Sequence, residues 1–265
     1  LLAYDTETSP IQGREIPQLA LATVCGNTGS CYLIHPEDLA QFICMHRRAY
    51  FCVHNAVFDF WVTAQHLQGK PEVANDWWDI AGDSRLCCTM LLDALIRLAR
   101  IDAEPIGRNL GVVAREYCGL SLDKDDPFRL RYGELVGVPV DRWHEMDPGF
   151  WQYACKDPVA TLLVMQRQAQ IAATLMEGYQ DQLLPKALRR FGPLTACLQV
   201  PGAIALDYIS RCGICIDVEA AHKLHAAISE LVRQHMAELE RLGGSELFRR
   251  YGPRSRHAGQ LQLSK

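Results

Sequence analysis

Three groups of side chains in this sequence have the types and spacing that could hold divalent cations. Asp5 and Glu7 stand two residues apart at the end of an apolar run, and because strand side chains alternate between two faces, both would point the same way. Asp59 follows a second apolar run. Tyr153 precedes Asp157 by four residues, which puts both on one face of a helix. Each group alone is weak evidence, because such pairs of acids are frequent in sequences.

Short apolar runs separated by turn residues predict the sheet that would position these acids. Residues 1–5, 19–25 and 31–34 have the composition of buried strands, and Asn27-Thr28-Gly29 is a plausible hairpin turn between the last two. We therefore expect a three-stranded antiparallel meander. Residues 50–53 predict a fourth strand.

Helices are predicted between and after these strands. The proline and acids that follow His35 suit a helix start, and the apolar residues after Asn55 fall on one helical face, so Asp59 would lie in the first turns of a helix. Functional residues of α/β folds are common at such positions. Residues 120–149 are rich in Pro, Gly and Asp and predict a long irregular connection. Further helices are predicted over residues 91–98, 110–117, 150–173 and 220–242.

Together, the acidic groups have the order and spacing of the DEDDy branch of the DnaQ-like exonucleases: Asp-x-Glu at 5–7, Asn-x-x-Phe-Asp at 55–59 and Tyr-x-x-x-Asp at 153–157. The sequence resembles in particular the proofreading domain of family A DNA polymerases, because Cys88-Thr-Met-Leu-Leu is similar to that family's Asp-Thr-Met-Leu-Leu segment. The resemblance covers about residues 1–180. It implies an α/β, ribonuclease H-like fold, with a mixed sheet flanked by helices and a C-terminal helical segment.

The resemblance continues into the last part of the chain. The stretch from Asp207 to Asp217 looks like the family A segment that leads from the exonuclease to the polymerase thumb. It implies an exonuclease domain at residues 1–182 and a helical segment at 183–265 that resembles the start of a polymerase domain. No palm or fingers motif follows, so this chain itself should not polymerise. The first residue, Leu1, is not an initiator methionine, which suggests a piece of a longer protein.

The resemblance also implies roles for the five residues. Asp5 would bridge two metal ions, Glu7 and Asp157 would complete the tighter site, and Asp59 would hold the second ion through water. Mg²⁺ is the expected ion, with Mn²⁺ as a substitute. Tyr153 should orient the attacking water rather than deprotonate it, because an ordinary phenol has a pKa near ~10. The implied partners are a single-stranded DNA 3′ end or frayed primer terminus and a polymerase domain in cis.

Two residues depart from the family pattern. Pro158 follows Asp157 where the family usually has alanine, and an interior proline disfavours helical geometry at the residue before it. Cys88 stands where the family usually has aspartate, which removes a carboxylate outside the metal site.

We expect Tyr4, Phe58 and Phe60 to be core residues, because base stacking cannot be read from a sequence.

Composition limits the remaining possibilities. The formal charge of −4 gives no global attraction to a polyanion, so binding to nucleic acid would need local basic patches and bound cations. One candidate basic patch lies near the end of the chain and consists of Arg241, Arg249, Arg250, Arg254, Arg256 and Lys265. A solvated basic surface without a nucleic-acid partner explains these residues equally well. No apolar run approaches ~20 residues and no secretory signal is recognisable, so we expect a cytoplasmic protein.

The eleven cysteines are interpreted as reduced, buried packing residues, because most lie within apolar runs, as Cys44 and Cys52 do. Cys212 and Cys215 have no second pair at zinc spacing, so core packing is also favoured there.

Two alternatives to the proofreading hypothesis stay open. One is a stand-alone exoribonuclease of the ribonuclease D type, with the tail as a helical RNA-binding module. The other is an inactive exonuclease fold that serves as a scaffold or DNA clamp.

Overall fold

The computed structural model describes residues 1–13, 15–101, 107–122, 126–177, 192–213, 215–243, 248–250 and 261–263. The chain divides into two compact units, Leu1–Cys212 and Gly213–Lys265. The expected boundary between residues 182 and 183 falls in 178–191, outside the described residues.

A five-stranded mixed sheet forms the centre of the first unit. Its strands are β1 (Leu2–Thr8), β2 (Leu19–Gly26), β3 (Cys31–Ile34), β4 (Phe51–Val53) and β5 (Leu86–Cys88), in the order β3-β2-β1-β4-β5. β1, β2 and β3 pair antiparallel, whereas β4 runs parallel to β1 and β5 parallel to β4. The antiparallel meander and the mixed sheet are thus confirmed.

The turn between β2 and β3 follows the predicted chemistry. Gly29 adopts a φ of 80°, a left-handed conformation that glycine reaches without a Cβ clash. Its N–H donates to the carbonyl of Gly26 over 2.9 Å. Seven of the eight residues of β2 are buried, which explains why its sequence is a continuous apolar run rather than an alternating one.

Helices cover the sheet. They are α1 (Pro36–Met45), α2 (Ala56–His66), α3 (Pro71–Gly82), α4 (Thr89–Ile101), α5 (Leu110–Cys118), α6 (Pro148–Ala154), α7 (Lys156–Glu177) and α8 (Ala196–Cys212). The predicted irregular connection at 120–149 contains three short 3₁₀ turns, at Pro127–Leu130, Tyr132–Leu135 and Val140–Glu145. Helix α3 does not follow from the patterns above, because only three of its residues are buried.

Aromatic side chains fill the core beside α2 and α3. Tyr4 and Phe60 are completely buried, as expected, and both rings pack against Trp77, with centroids 5.7 and 5.9 Å away. The Tyr4 hydroxyl shares a hydrogen bond of 2.8 Å with Thr63, so its polar end is satisfied inside the core. This core fixes β1 against α2, the two elements that carry Asp5, Glu7 and Asp59.

The cysteines agree only in part with the prediction that they are reduced and buried. All eleven are free thiols, and Cys52 is buried as predicted. Cys44, Cys212 and Cys215 are exposed, so the prediction of core packing is wrong for these three. Cys44 directly follows the buried Ile43 on α1, and the helical turn takes it to the outer face.

The second unit contains α9 (Val218–Gly243) and a hairpin of β6 (Phe248–Arg250) and β7 (Leu261–Leu263). The helix confirms the predicted C-terminal helical segment, whereas the hairpin was not predicted. Of the basic patch, Arg241 pairs with Glu238 at 2.6 Å, and the other side chains lie outside the described residues. Across the described residues, none of the helices has the length and apolar character needed to cross a membrane.

Candidate active site

The five residues predicted to carry chemistry line one open pocket of about 550 Å³. They come from four elements: Asp5 and Glu7 from β1, Asp59 from α2, Tyr153 from α6 and Asp157 from α7. The pocket therefore lies where the second half of the central strand meets the starts of two helices.

Strand β1 runs past Asp5 and Glu7 to Thr8, so both carboxylates project from within the strand rather than from the loop after it. Both line the pocket, as the period-2 geometry predicts. Pairing of β1 with β2 becomes irregular between Glu7 and Thr8. The residues directly after the strand, Ser9 and Pro10, form part of the pocket wall.

Asp59 is held in place by the strand opposite it. The backbone N–H and the hydroxyl of Thr6 both donate to Asp59 Oδ1, over 3.0 and 2.7 Å. Asp59 lies in the first turn of α2, as predicted, and is only 2% exposed. Because both hydrogen bonds go to Oδ1, neither one occupies Oδ2.

Cys88 contributes to the start of α2. Its thiol sulfur accepts a hydrogen bond of 3.4 Å from the N–H of Ala56, the first residue of that helix. This N–H has no partner within the helix, so Cys88 satisfies one of the donors that a helix start leaves free. Asn55, the residue before Ala56, has a φ of 69°, a left-handed conformation that asparagine adopts more readily than most residues.

Tyr153 and Asp157 belong to two helices and not to the single predicted one. Helix α6 ends at Ala154, Cys155 forms the break, and α7 begins at Lys156. Pro158 is consequently the third residue of α7, within the first turn, where a backbone N–H has no partner in the helix. The expected disruption of helical geometry at Asp157 is therefore wrong.

The pocket concentrates negative charge. Burial raises the pKa of Asp5 well above its usual range, and the charges of Asp59 and Glu7 raise it further. Burial likewise raises the pKa of Glu7, helped by Asp157 and Asp59. Burial also raises the pKa of Asp59 to about 7, although the Thr6 hydrogen bonds oppose the rise. Bound cations would relieve this repulsion between carboxylates.

Tyr153 keeps its proton in this environment. Burial raises the pKa of its phenol above the ordinary value, and the charges of Asp157 and Glu7 raise it further. A protonated phenol can donate one hydrogen bond and accept another, but it cannot act as a base. Tyr153 is suited to orienting a water molecule.

The donor set fits hard divalent cations in type, because carboxylate oxygens are the ligands that Mg²⁺ and Mn²⁺ prefer. Asp5, Glu7, Asp59 and Asp157 would be the residues that hold them. Within the described part of the chain, no three or more acidic, histidine or cysteine side chains stand in a ready-made metal-binding arrangement.

Sequence reasoning did not assign several of the residues that line the pocket, among them Phe58, His54 and Arg129. Phe58 is partly buried and packs against the core, as expected, and it also contributes to the pocket wall. His54 directly precedes Asn55, and its Nε2 donates to the carbonyl of Arg108 over 2.9 Å. Arg129 comes from the irregular connection, where no periodic pattern could have placed it.

Tertiary contacts fix the 3₁₀ turn that carries Arg129. The side chain of Asp126 accepts from the N–H of Phe128 over 3.1 Å and pairs with Lys156 at 3.1 Å, next to Asp157. The Phe128 ring packs edge-on against Phe150, with centroids 4.8 Å apart. The turn is thereby attached to the starts of both α6 and α7.

We predict that Gly149→Ala destabilises the protein by about 1–3 kcal/mol, the usual cost of overpacking. A Cβ at Gly149 would collide with the Phe128 ring, so the turn would have to move. Urea denaturation measures the change in the free energy of unfolding. Gly69→Ala is the matched control, because no heavy atom lies within 4 Å of a Cβ there. Equal effects of the two substitutions would contradict the packing of Phe128 on Gly149.

Comparisons with known proteins yield neither a matching protein-family model nor a matching curated protein. Solved structures of Trypanosoma brucei RNase D are similar to the chain. The complex with RNA U12 has a TM-score of 0.49 at 13% identity and covers 74% of this chain and 61% of that one. A structure of RNase D itself has a TM-score of 0.47 at 16% identity and covers 74% of this chain and 64% of that one. The complex with GMP has a TM-score of 0.48 at 16% identity and covers 74% of this chain and 56% of that one. The chain thus spans less than two thirds of each of these proteins.

Proposed function

We propose that this chain is a metal-dependent 3′-5′ exonuclease. The observation that carries the proposal is the convergence of four carboxylates and one protonated phenol, from four separate elements, on one open pocket. The residues are those that the DEDDy motifs indicate, and the carboxylates lie close enough for their charges to raise the pKa values of Asp5, Glu7 and Asp59.

Hydrolysis of a phosphodiester requires an activated water and stabilisation of charge on the phosphate and the leaving 3′ oxygen, and two bound divalent cations supply both. Asp5, Glu7, Asp59 and Asp157 would hold the cations. Thr6 holds the Asp59 carboxylate in one orientation. Tyr153 orients the water through its hydroxyl, with the proton remaining on the phenol.

Two polymers are candidates for the substrate. A ribonuclease D-like exoribonuclease acts on RNA, and RNA is the polymer to test first, since all the structural neighbours reported above are RNase D. A proofreading domain acts on a DNA 3′ end beside a polymerase domain in cis. This second candidate depends on the sequence motifs alone, chiefly the segment from Asp207 to Asp217.

The test uses 5′-labelled single-stranded RNA and DNA of the same sequence, with Mg²⁺, with Mn²⁺ and with EDTA. We expect stepwise shortening of at least one polymer, and the faster reaction identifies the substrate. Asp5→Ala should reduce the rate at least about a hundredfold, because it removes a ligand at the centre of the site. Asp79→Ala, at an exposed acid on α3, is the control and should leave the rate unchanged.

Two outcomes would overturn the proposal. Intact strands with both metals would favour the inactive scaffold. Shortening that persists in Asp5→Ala would assign the activity to another site or to a contaminating nuclease.

A further inference from the structure

Arg129 is the one lysine or arginine among the described residues that line the candidate pocket. We infer that Arg129 binds the phosphate of the 3′-terminal internucleotide linkage and positions it against the carboxylates. The inference rests on the proposed function, since it assigns the contact that brings a polyanion into an acidic site. A guanidinium matches a phosphate with two parallel hydrogen bonds.

The position of Arg129 suits this contact. It lines the main pocket and also a smaller cavity of about 160 Å³, and Tyr153 and Asp157 line both. The start of α5, at Asn109 and Gly111, forms another wall of the smaller cavity. Arg129 therefore stands where the two cavities meet, beside the phenol and one of the carboxylates.

Electrostatics favour a cationic side chain at this place. A phosphodiester that enters the pocket meets four carboxylates, and the chain as a whole carries a formal charge of −4. Arg129 is near enough to Glu7 and Tyr153 for its charge to oppose the rise in the pKa of each. The positive charge of Arg129 also attracts an incoming phosphate.

The side chain of Arg129 differs from that of its neighbour Arg131. Arg131 pairs with Glu134 at 2.7 Å, and its guanidinium lies over the Phe128 ring, 5.4 Å from the centroid. For Arg129, the described residues provide no ion-pair partner, and the side chain is exposed. The backbone turn is fixed while the guanidinium remains accessible, which is the arrangement that ligand binding needs.

Binding without hydrolysis tests the inference. The anisotropy of a 5′-labelled single-stranded oligonucleotide of the preferred polymer is measured in EDTA over a range of salt concentrations. Arg129→Ala should weaken binding about tenfold and reduce the slope of log K against log salt by about one, whereas Arg129→Lys should keep the slope. Arg131→Ala is the control and should keep both the affinity and the slope.

A second oligonucleotide identifies the phosphate. A methylphosphonate at the 3′-terminal linkage removes the charge of that linkage. It should weaken binding to the wild-type protein about as much as Arg129→Ala does, and it should have little further effect on the variant. Full additivity of the two changes, or an unchanged slope in Arg129→Ala, would overturn the inference.

The outcomes separate this inference from the proposed function. Arg129-dependent binding without shortening under Mg²⁺ or Mn²⁺ would refute the exonuclease and leave the phosphate contact standing. Shortening by the wild type, together with unchanged binding and hydrolysis in Arg129→Ala, would refute the contact alone. A wild-type chain that binds neither RNA nor DNA would refute both.

Discussion

Replacing Asp59 by asparagine is expected to abolish hydrolysis and to stabilise the metal-free protein at about pH 8. The pKa of the buried carboxyl is about 7, above the ordinary value near ~3.9 that it has in the unfolded chain. The folded state therefore binds the proton more tightly, and stability falls as the pH rises from about 4 to about 7. Asparagine avoids this loss, and its Oδ1 can still accept both hydrogen bonds from Thr6.

Thermal melting in EDTA measures the gain. We expect a higher Tm for Asp59→Asn at about pH 8, by an amount that corresponds to roughly a few kcal/mol, and a much smaller gain near about pH 4. Asp79→Asn, at an exposed position, should change neither value. A lower Tm for Asp59→Asn at about pH 8 would contradict the view that the site keeps a costly buried charge for metal binding.

Replacing Arg108 by methionine is expected to destabilise the protein by about 3–5 kcal/mol, the cost of removing one partner of a buried ion pair. Asp93 on α4 is completely buried, and Arg108 donates to it from Nε over 2.8 Å and from a second nitrogen. Tyr117 also donates to Asp93, over 2.9 Å, but a neutral hydroxyl does not balance the charge. The variant would leave Asp93 buried without its cation.

Urea denaturation measures this loss, with Arg100→Met as the control at an exposed arginine of α4. The double variant Asp93→Leu with Arg108→Met should recover part of the stability, because it removes the orphaned charge. A loss below about 1 kcal/mol in Arg108→Met would indicate that the pair behaves as an exposed one.

Patterns that reflect burial allowed much of the fold to be predicted. The strands at 19–25 and 31–34 followed from apolar composition and from the glycine turn between them, and both agree with the structure within one residue. Asp59 in the first turn of α2 followed from the apolar residues beyond Asn55. These features depend on local periodicity, which a single sequence contains.

Features that depend on tertiary contacts were not predictable. The break at Cys155 interrupts a pattern that continues as a helix on either side, so Pro158 was interpreted as interior although it lies in a first turn. Arg129 lies in a turn that is held by the pairing of Asp126 with Lys156 and by the packing of Phe128 on Phe150. Neither contact leaves a periodic signature in the sequence.

The most direct test of the central claim is the analysis of products released in water enriched in ¹⁸O. A single-stranded oligonucleotide of the preferred polymer is incubated with the protein and Mg²⁺, and the products are identified by mass spectrometry. The account predicts nucleoside 5′-monophosphates with one ¹⁸O on the phosphate, and a remaining strand that ends in an unlabelled 3′ hydroxyl, because water attacks phosphorus and the 3′ oxygen leaves. Internal fragments, 3′-phosphate ends or the absence of labelled mononucleotides would contradict it.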